Sequence, residues 1–244
     1  MLDAILETDF SKLSSGMKMY FTYDEEIGFG GINELINRKE KFPNTIIFGE
    51  PTNNEIQVGS KGLFELELNF KGLKAHASNP AKGKSANINA INALYELNKF
   101  YEENIKAEKD TKYEIPYTTM NIGIINGGTG KNSIPDNCFV TLDFRTITSK
   151  HSDLILNKIK ELSIKYEFEF KVFERVEAFY NDIDNIDSKK TSNFITEASL
   201  IQNRNRIILG LGPVTAHEIN EHIAEESYKQ LVEQYKELIS MYCK

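Results

Sequence analysis

The sequence predicts an α/β protein in two parts: a split α/β domain, with a βαββαβ unit inserted at about residues 61–174. Two patterns carry this. Three short apolar segments, at 17–23, 45–49 and 207–209, each give way to glycines and polar residues, as strands of an open sheet do at its ligand-binding edge. Between them lie longer segments in which apolar and polar residues alternate strictly, the mark of strands with one wet face. With 244 residues, 40% hydrophobic and 27% charged, the chain has room for one large domain or two small ones.

The elements follow in order. Residues 17–23 (MKMYFTY) read as a strand, and Gly28, Gly30 and Gly31 lead into a helix carrying Ile32, Leu35 and Ile36. The adjacent Glu25 and Glu26 therefore sit between strand and helix. Residues 45–49 (TIIFG) read as a buried parallel strand followed at once by Glu50. Phe64, Leu66, Leu68 and Phe70 alternate with Glu65, Glu67 and Asn69. A helix at about 85–105 places Ile88, Ile91, Leu94, Tyr95 and Tyr101 on one side. Strands at 118–125 and 138–145 come next; then Ser152 caps a helix carrying Ile155, Ile159 and Leu162. Phe168, Phe170 and Val172 alternate in the last strand of the insert, which completes a ferredoxin-like order. Asp182–Asp187 reads as a loop after re-entry, Ile207-Ile208-Leu209 as a strand leading through Gly210, Gly212 and Pro213 to His217, and 224–242 as the last helix. Thus 1–60 and 175–244 form one domain and 61–174 the other.

Composition excludes several classes. The net charge is -7 and no Lys/Arg block stands clear of acids, so nucleic acid is not expected as a partner. No apolar run approaches a membrane span, and Met1-Leu2-Asp3-Ala4 opens no signal-peptide pattern, so a cytoplasmic protein is expected. Cys138 and Cys243 have no metal-type spacing.

Glu25, Glu26, Glu50 and His217 are oxygen and nitrogen donors of the kind that hold zinc, manganese or cobalt, and a carboxylate beside a ligand suits a general base. Each has a plainer reading when taken singly. The Glu pair is also an ordinary acidic helix start, Glu50 a turn residue, and His76 and His217 loop histidines. Arg145 can pair with a cross-strand acid. Gly127-Gly128-Thr129-Gly130 reads as a hairpin loop, lacking the Lys-Ser/Thr of a phosphate loop.

Taken together and in order, DEEIGFGG, GEPT, KGLFELELNFKGLKAHASNPAKG, NIGIINGGTGKNSIPDNCFVTLDFR and LGLGPVTAHEINEHI resemble the M20 family of dinuclear metallo-hydrolases over essentially the whole chain. Within that family the segment from Pro116 to Gly123, the Thr196-Glu197-Ala198 triplet and the opening LDAILETDFSKL lie nearest acetylornithine deacetylase. The resemblance implies a catalytic domain with a lid that also dimerises, and two divalent ions, Zn2+ or Co2+. Glu25 would be the general base and acid. Glu26 and His217 would bind one metal and Glu50 the other. His76 would reach a partner's site as an oxyanion donor, Asn132 and Arg145 would bind substrate, and Gly212 would let the backbone approach it. The implied reaction is amide hydrolysis of an N-acyl amino acid, N-acetylornithine first, with a desuccinylase, dipeptidase or carboxypeptidase as alternatives. A non-catalytic dimerisation or binding protein is the alternative of another class. The family's upstream His-x-Asp and bridging Asp have no counterpart before Tyr23. The expectation is therefore a catalytic domain lacking its N-terminal portion, with an incomplete metal site and little activity by itself.

Overall fold

The computed structural model describes residues 1–202 and 204–243. Its helices and strands, in chain order, are α1 (Leu2–Leu6), α2 (Gly30–Asn37), β1 (Thr45–Phe48), β2 (Gln57–Ser60), β3 (Gly62–Lys71), α3 (Ala86–Phe100), β4 (Thr119–Gly127), β5 (Asn137–Thr146), α4 (Ser149–Tyr166), β6 (Phe168–Val176), β7 (Phe179–Tyr180), β8 (Lys190–Ser192), β9 (Asn205–Ile208) and α5 (Glu225–Tyr242). The chain divides into two compact units, Met1–Ser60 with Tyr180–Lys244, and Lys61–Phe179.

In the first unit β1 runs parallel to β9, while β9 and β2 are antiparallel and β8 runs parallel to β2. The sheet is mixed rather than all-parallel. Its core gathers Val58, Ile207 and Leu209 against Leu231, Val232, Tyr235 and Leu238 of α5. The loop after re-entry joins this core through buried Ile183 and Ile186. One expected strand is absent: residues 17–23 form no strand. The segment has no ladder partner among the described residues, and without backbone pairing an apolar sequence is not a strand. A cavity of about 660 Å³ opens between it and β1, lined by Met19, Phe21 and Thr22 on one side and Ile46, Phe48 and Glu50 on the other.

The second unit is a four-stranded antiparallel sheet in the order β4-β5-β3-β6, with α3 and α4 on one face. Phe64, Leu66, Leu68 and Phe70 of β3 point into the core with Val140, Leu142 and Phe144 of β5. Two expectations are corrected here. The face of α3 that packs on the sheet is Ala86, Ala90, Ala93, Leu94 and Leu97, whereas Ile88, Ile91 and Tyr95 are 55%, 60% and 72% exposed. Alanines let the helix axis approach the sheet, so the larger residues are turned outward. Helix α4 starts at Ser149 after Thr148, three residues before Ser152, which is fully buried inside it. Ile155, Ile159 and Leu162 do form its buried stripe. The helix α3 is capped by Ser85, whose side chain accepts from the Ile88 amide at 3.3 Å, and it ends in one π turn, Tyr101–Ile105.

Leu68 sits at the centre of this core, 1% exposed. Replacing it with alanine should cost about 2–5 kcal/mol. Urea unfolding of the full chain measures this, and a loss below about 1 kcal/mol would show that the core collapses around the gap.

Candidate active site

The polar cluster of the first unit is built on the ends of β1 and β9. Past Phe48 the chain gives Gly49 and Glu50; past Ile208 it gives Leu209 and Gly210. The Leu209 amide still donates to Phe48 O at 3.0 Å, and the Gly210 amide to Thr52 Oγ1 at the same length. A Cβ at Gly210 would collide with the Glu50 carbonyl, so glycine is what lets the two strand ends run this close. Glu50 is half-buried. Burial, then the charges of Glu25, Glu197 and Glu26, push its carboxyl from the ordinary 4.5 up to about 7.

Glu25 and Glu26 open a short 3₁₀ turn after Asp24, whose backbone is left-handed at φ 56° and whose carbonyl accepts from the Phe29 amide at 2.8 Å. Glu25 is half-buried and Glu26 exposed. The Glu25 carboxyl is raised by burial, then by Glu26 and Glu197, with the nearby His217 acting in the opposite sense. His217 is exposed and lies 3.4 Å from Glu26, Nε2 to Oε1. Its backbone is also left-handed, φ 66°, a conformation that costs a non-glycine residue about 1–3 kcal/mol. The structure therefore brings Glu25, Glu26, Glu50 and His217 into one electrostatic neighbourhood.

Glu197, which the sequence marked only as part of a triplet, belongs to the same neighbourhood. It follows Thr196, whose hydroxyl caps the Glu197–Leu200 turn by accepting from the Ala198 amide at 3.1 Å. One carboxylate oxygen, Oε2, accepts from Thr22 Oγ1 at 2.9 Å. The other, Oε1, is buried with no hydrogen-bond partner. Burial raises this carboxyl as well, with the Thr22 bond working against the shift. No pattern of spacing marks Glu197; only the chain's return past 180 sets it beside residues 22–50.

Gly212 is buried, and the space a Cβ would need is filled by Asn53. Its amide donates to Ser227 Oγ at 2.8 Å, so packing alone accounts for glycine there.

The remaining candidates lie in the second unit. His76 and Ser133 are bridged, and the Ala77 amide donates to Asn132 O at 2.9 Å, so His76 and Asn132 occupy adjoining exposed loops. His76 Nδ1 accepts from the Ser78 amide at 3.2 Å. That bond places the proton of a neutral ring on Nε2, which is left as a donor. Arg145 on β5 is half-buried and holds Asp143, two residues away on the same face, through Nε and Nη2 at 2.9 Å each. Its partner is a same-strand acid.

Glu26 and Glu50 oxygens and a His217 nitrogen are the donor types that zinc and cobalt take. The orphaned Glu197 oxygen is the kind of atom a cation satisfies. In chemistry the residues fit a divalent ion. As the side chains stand, no group of three His, Cys, Asp or Glu among the described residues is gathered to hold a metal. No helix among them is long and apolar enough to cross a membrane.

Residues 58–171 match the profile of the M20 peptidase dimerisation domain. The chain is 28% identical over 269 residues to an acetylornithine deacetylase of Pasteurella multocida, covering 99% of this chain and 68% of that protein. It is 27% identical over 191 residues to another of Myxococcus xanthus, covering 77% and 50%. Among solved structures it resembles a tripeptidase from Staphylococcus aureus (TM-score 0.71, 22% identity, 90% of this chain and 62% of that one). An aminopeptidase from Bacillus cereus is similar (TM-score 0.75, 21% identity, 91% and 63%). The chain thus spans about half to two thirds of the length of these relatives.

The raised Glu50 carboxyl has a consequence for stability. Between pH 4.5 and about 7 the folded state holds a proton that the unfolded chain has released. Stability of the metal-free protein should therefore fall as pH rises through that window and level off above it, by roughly 2 kcal/mol after allowing for partial exposure. Urea unfolding at pH 5 and 7.5 should show a smaller fall in Glu50→Gln than in the wild type. Equal falls would remove Glu50 as the cause.

Proposed function

We propose that the chain, whose residues 58–171 match the M20 peptidase dimerisation domain, is an M20-type metal-dependent hydrolase of the amide bond of N-acyl amino acids, with N-acetylornithine as substrate. The observation that carries this reading is the gathering of Glu25 and Glu26 beside His217 and within electrostatic reach of Glu50 at the end of β1. The two acetylornithine deacetylases it is similar to support the choice of substrate.

Glu26, Glu50 and His217 are the residues that would hold zinc or cobalt, whose chemistry at such a site is Lewis-acid polarisation of a carbonyl and activation of water. Glu25 is the proton carrier. Burial and its acidic neighbours favour the protonated form, which brings a carboxylate nearer the range where it can take a proton from water and return it to a leaving amine. His76 donates Nε2–H to the oxyanion that forms as the acyl carbonyl becomes tetrahedral, acting in the site of a partner subunit. Asn132, beside it, offers an amide to the substrate. Arg145 keeps donors beyond the two spent on Asp143, and these suit the substrate carboxylate.

The reading includes a homodimer formed through the second unit. Strand β4 is an edge of its sheet, with Ile124 and Ile125 exposed, and α3 adds the exposed stripe of Ile88, Ile91 and Tyr95. An open edge beside an apolar stripe is an association surface.

Two outcomes are expected. With Co2+ or Zn2+ supplied, any hydrolysis of N-acetylornithine by the chain should fall by about 10²–10⁴-fold in Glu25→Gln, with metal still bound, whereas Glu26→Gln should lower metal content first. Metal analysis and product assay of both variants check this, and the reverse pattern would exchange the two roles. A chain that binds metal but turns over no N-acyl amino acid would leave the binding role and remove the catalytic one. In sedimentation at micromolar concentration the wild type should run as a dimer and Ile91→Asp as a monomer. A monomeric wild type would also remove the route by which His76 serves a second site.

A further inference from the structure

We propose that Glu197 is a further ligand of the divalent cation, sharing it with Glu50 through the carboxylate oxygen that has no hydrogen-bond partner in the fold. The inference rests on the metal-binding reading above and adds a residue to it.

Three observations lead there. Glu197 is 9% exposed, yet its Oε1 is buried and unpartnered. A buried carboxylate oxygen left without donor or counter-charge is costly and is kept only where something satisfies it. Second, both the side chain and the turn that carries it are held in place. Thr22 Oγ1 fixes Oε2 at 2.9 Å, and the guanidinium of Arg206 anchors the turn by donating to Ala198 O at 3.3 Å and Ile201 O at 2.9 Å. The free oxygen is thus presented by a rigid turn. Third, Glu197, Glu50 and Thr22 line the same cavity, and the charge of Glu197 is felt by both Glu50 and Glu25. Two desolvated carboxylates facing one cavity repel each other. A divalent ion converts that repulsion into attraction and supplies the orphaned oxygen with its partner. Thr22 then serves as the outer hydrogen bond that orients a ligating carboxylate.

The test is Co2+ titration of the full chain against a competing chelator, with thermal unfolding in EDTA and in Co2+. Glu197→Gln should weaken Co2+ binding by at least about tenfold, as should Glu197→Asp, whose carboxylate is too short. In EDTA, Glu197→Gln should unfold at the wild-type temperature or above it, because a buried unpaired charge has been removed. Its gain in Tm on adding Co2+ should be smaller than the wild type's. If both variants bind Co2+ as the wild type does while Glu50→Gln and His217→Ala lose it, the assignment of Glu197 is overturned and the metal site stands. A lowered Tm in EDTA together with undiminished affinity would assign Glu197 a packing role instead. If the wild type takes up no Co2+, the metal reading and this inference fall together.

Discussion

The parallel register of β1 on β9 is the constraint on which the candidate site depends. Phe48 lies opposite Ile208, so the two strands end together and release Glu50 and Gly210 at the same level. Past that point the pairing continues in irregular form: the Asn54 amide donates to Gly210 O and the Asn53 amide to Leu211 O, each at 2.9 Å. A shift of one residue would put Gly49 or Pro51 where the Glu50 carboxylate now stands. Helix α5 locks the same corner from behind, with Tyr235 donating to Leu209 O at 2.6 Å and Gln234 to Asn54 O at 2.9 Å. The position and burial of Glu50 follow from that pairing, and Glu25, Glu26 and Glu197 are brought to it by their own turns.

The second unit shows a different economy. Its strands β3, β5 and β6 alternate cleanly because one sheet face is covered by helices and the other is wet. On the wet face Glu65 lies between Asp143 and Glu174, and its carboxyl is raised by burial first, then by Asp143, with Arg145 opposing. The guanidinium therefore neutralises its own acidic neighbours.

Much of this was legible in residue order because the patterns concerned are local. Alternation in β3, β5 and β6 and the Ile155/Ile159/Leu162 stripe depend on period alone, and the structure has them where the sequence places them. Residues 17–23 have the composition of a strand, but strand formation needs a neighbour, and composition does not report one. Hydrophobicity without size points to the wrong face of α3: small Ala86, Ala90 and Ala93 pack where close approach matters, and Ile88, Ile91 and Tyr95 are displaced outward. Ser152 looked like a cap since a serine before an apolar stripe often is one; here Thr148 precedes the first turn instead. The metal-type donors were visible as residue types, whereas Glu197 was not singled out as one of them. It is more than a hundred residues distant in sequence from Glu50 and reaches it only through the return of the chain.

The left-handed backbone at His217 ties the chemistry of the site to its mechanical cost. Asparagine or glycine adopts that conformation with less strain than histidine, and a neutral amide at 50 or 197 would escape the repulsion that carboxylates suffer there. At these three positions the residues best for a durable fold and those best for holding an ion are different. Selection for heat resistance alone would erode the site from within while leaving the fold untouched. On the proposed metal-binding reading, the strain at histidine and the repulsion between the two glutamates are what a bound ion would offset.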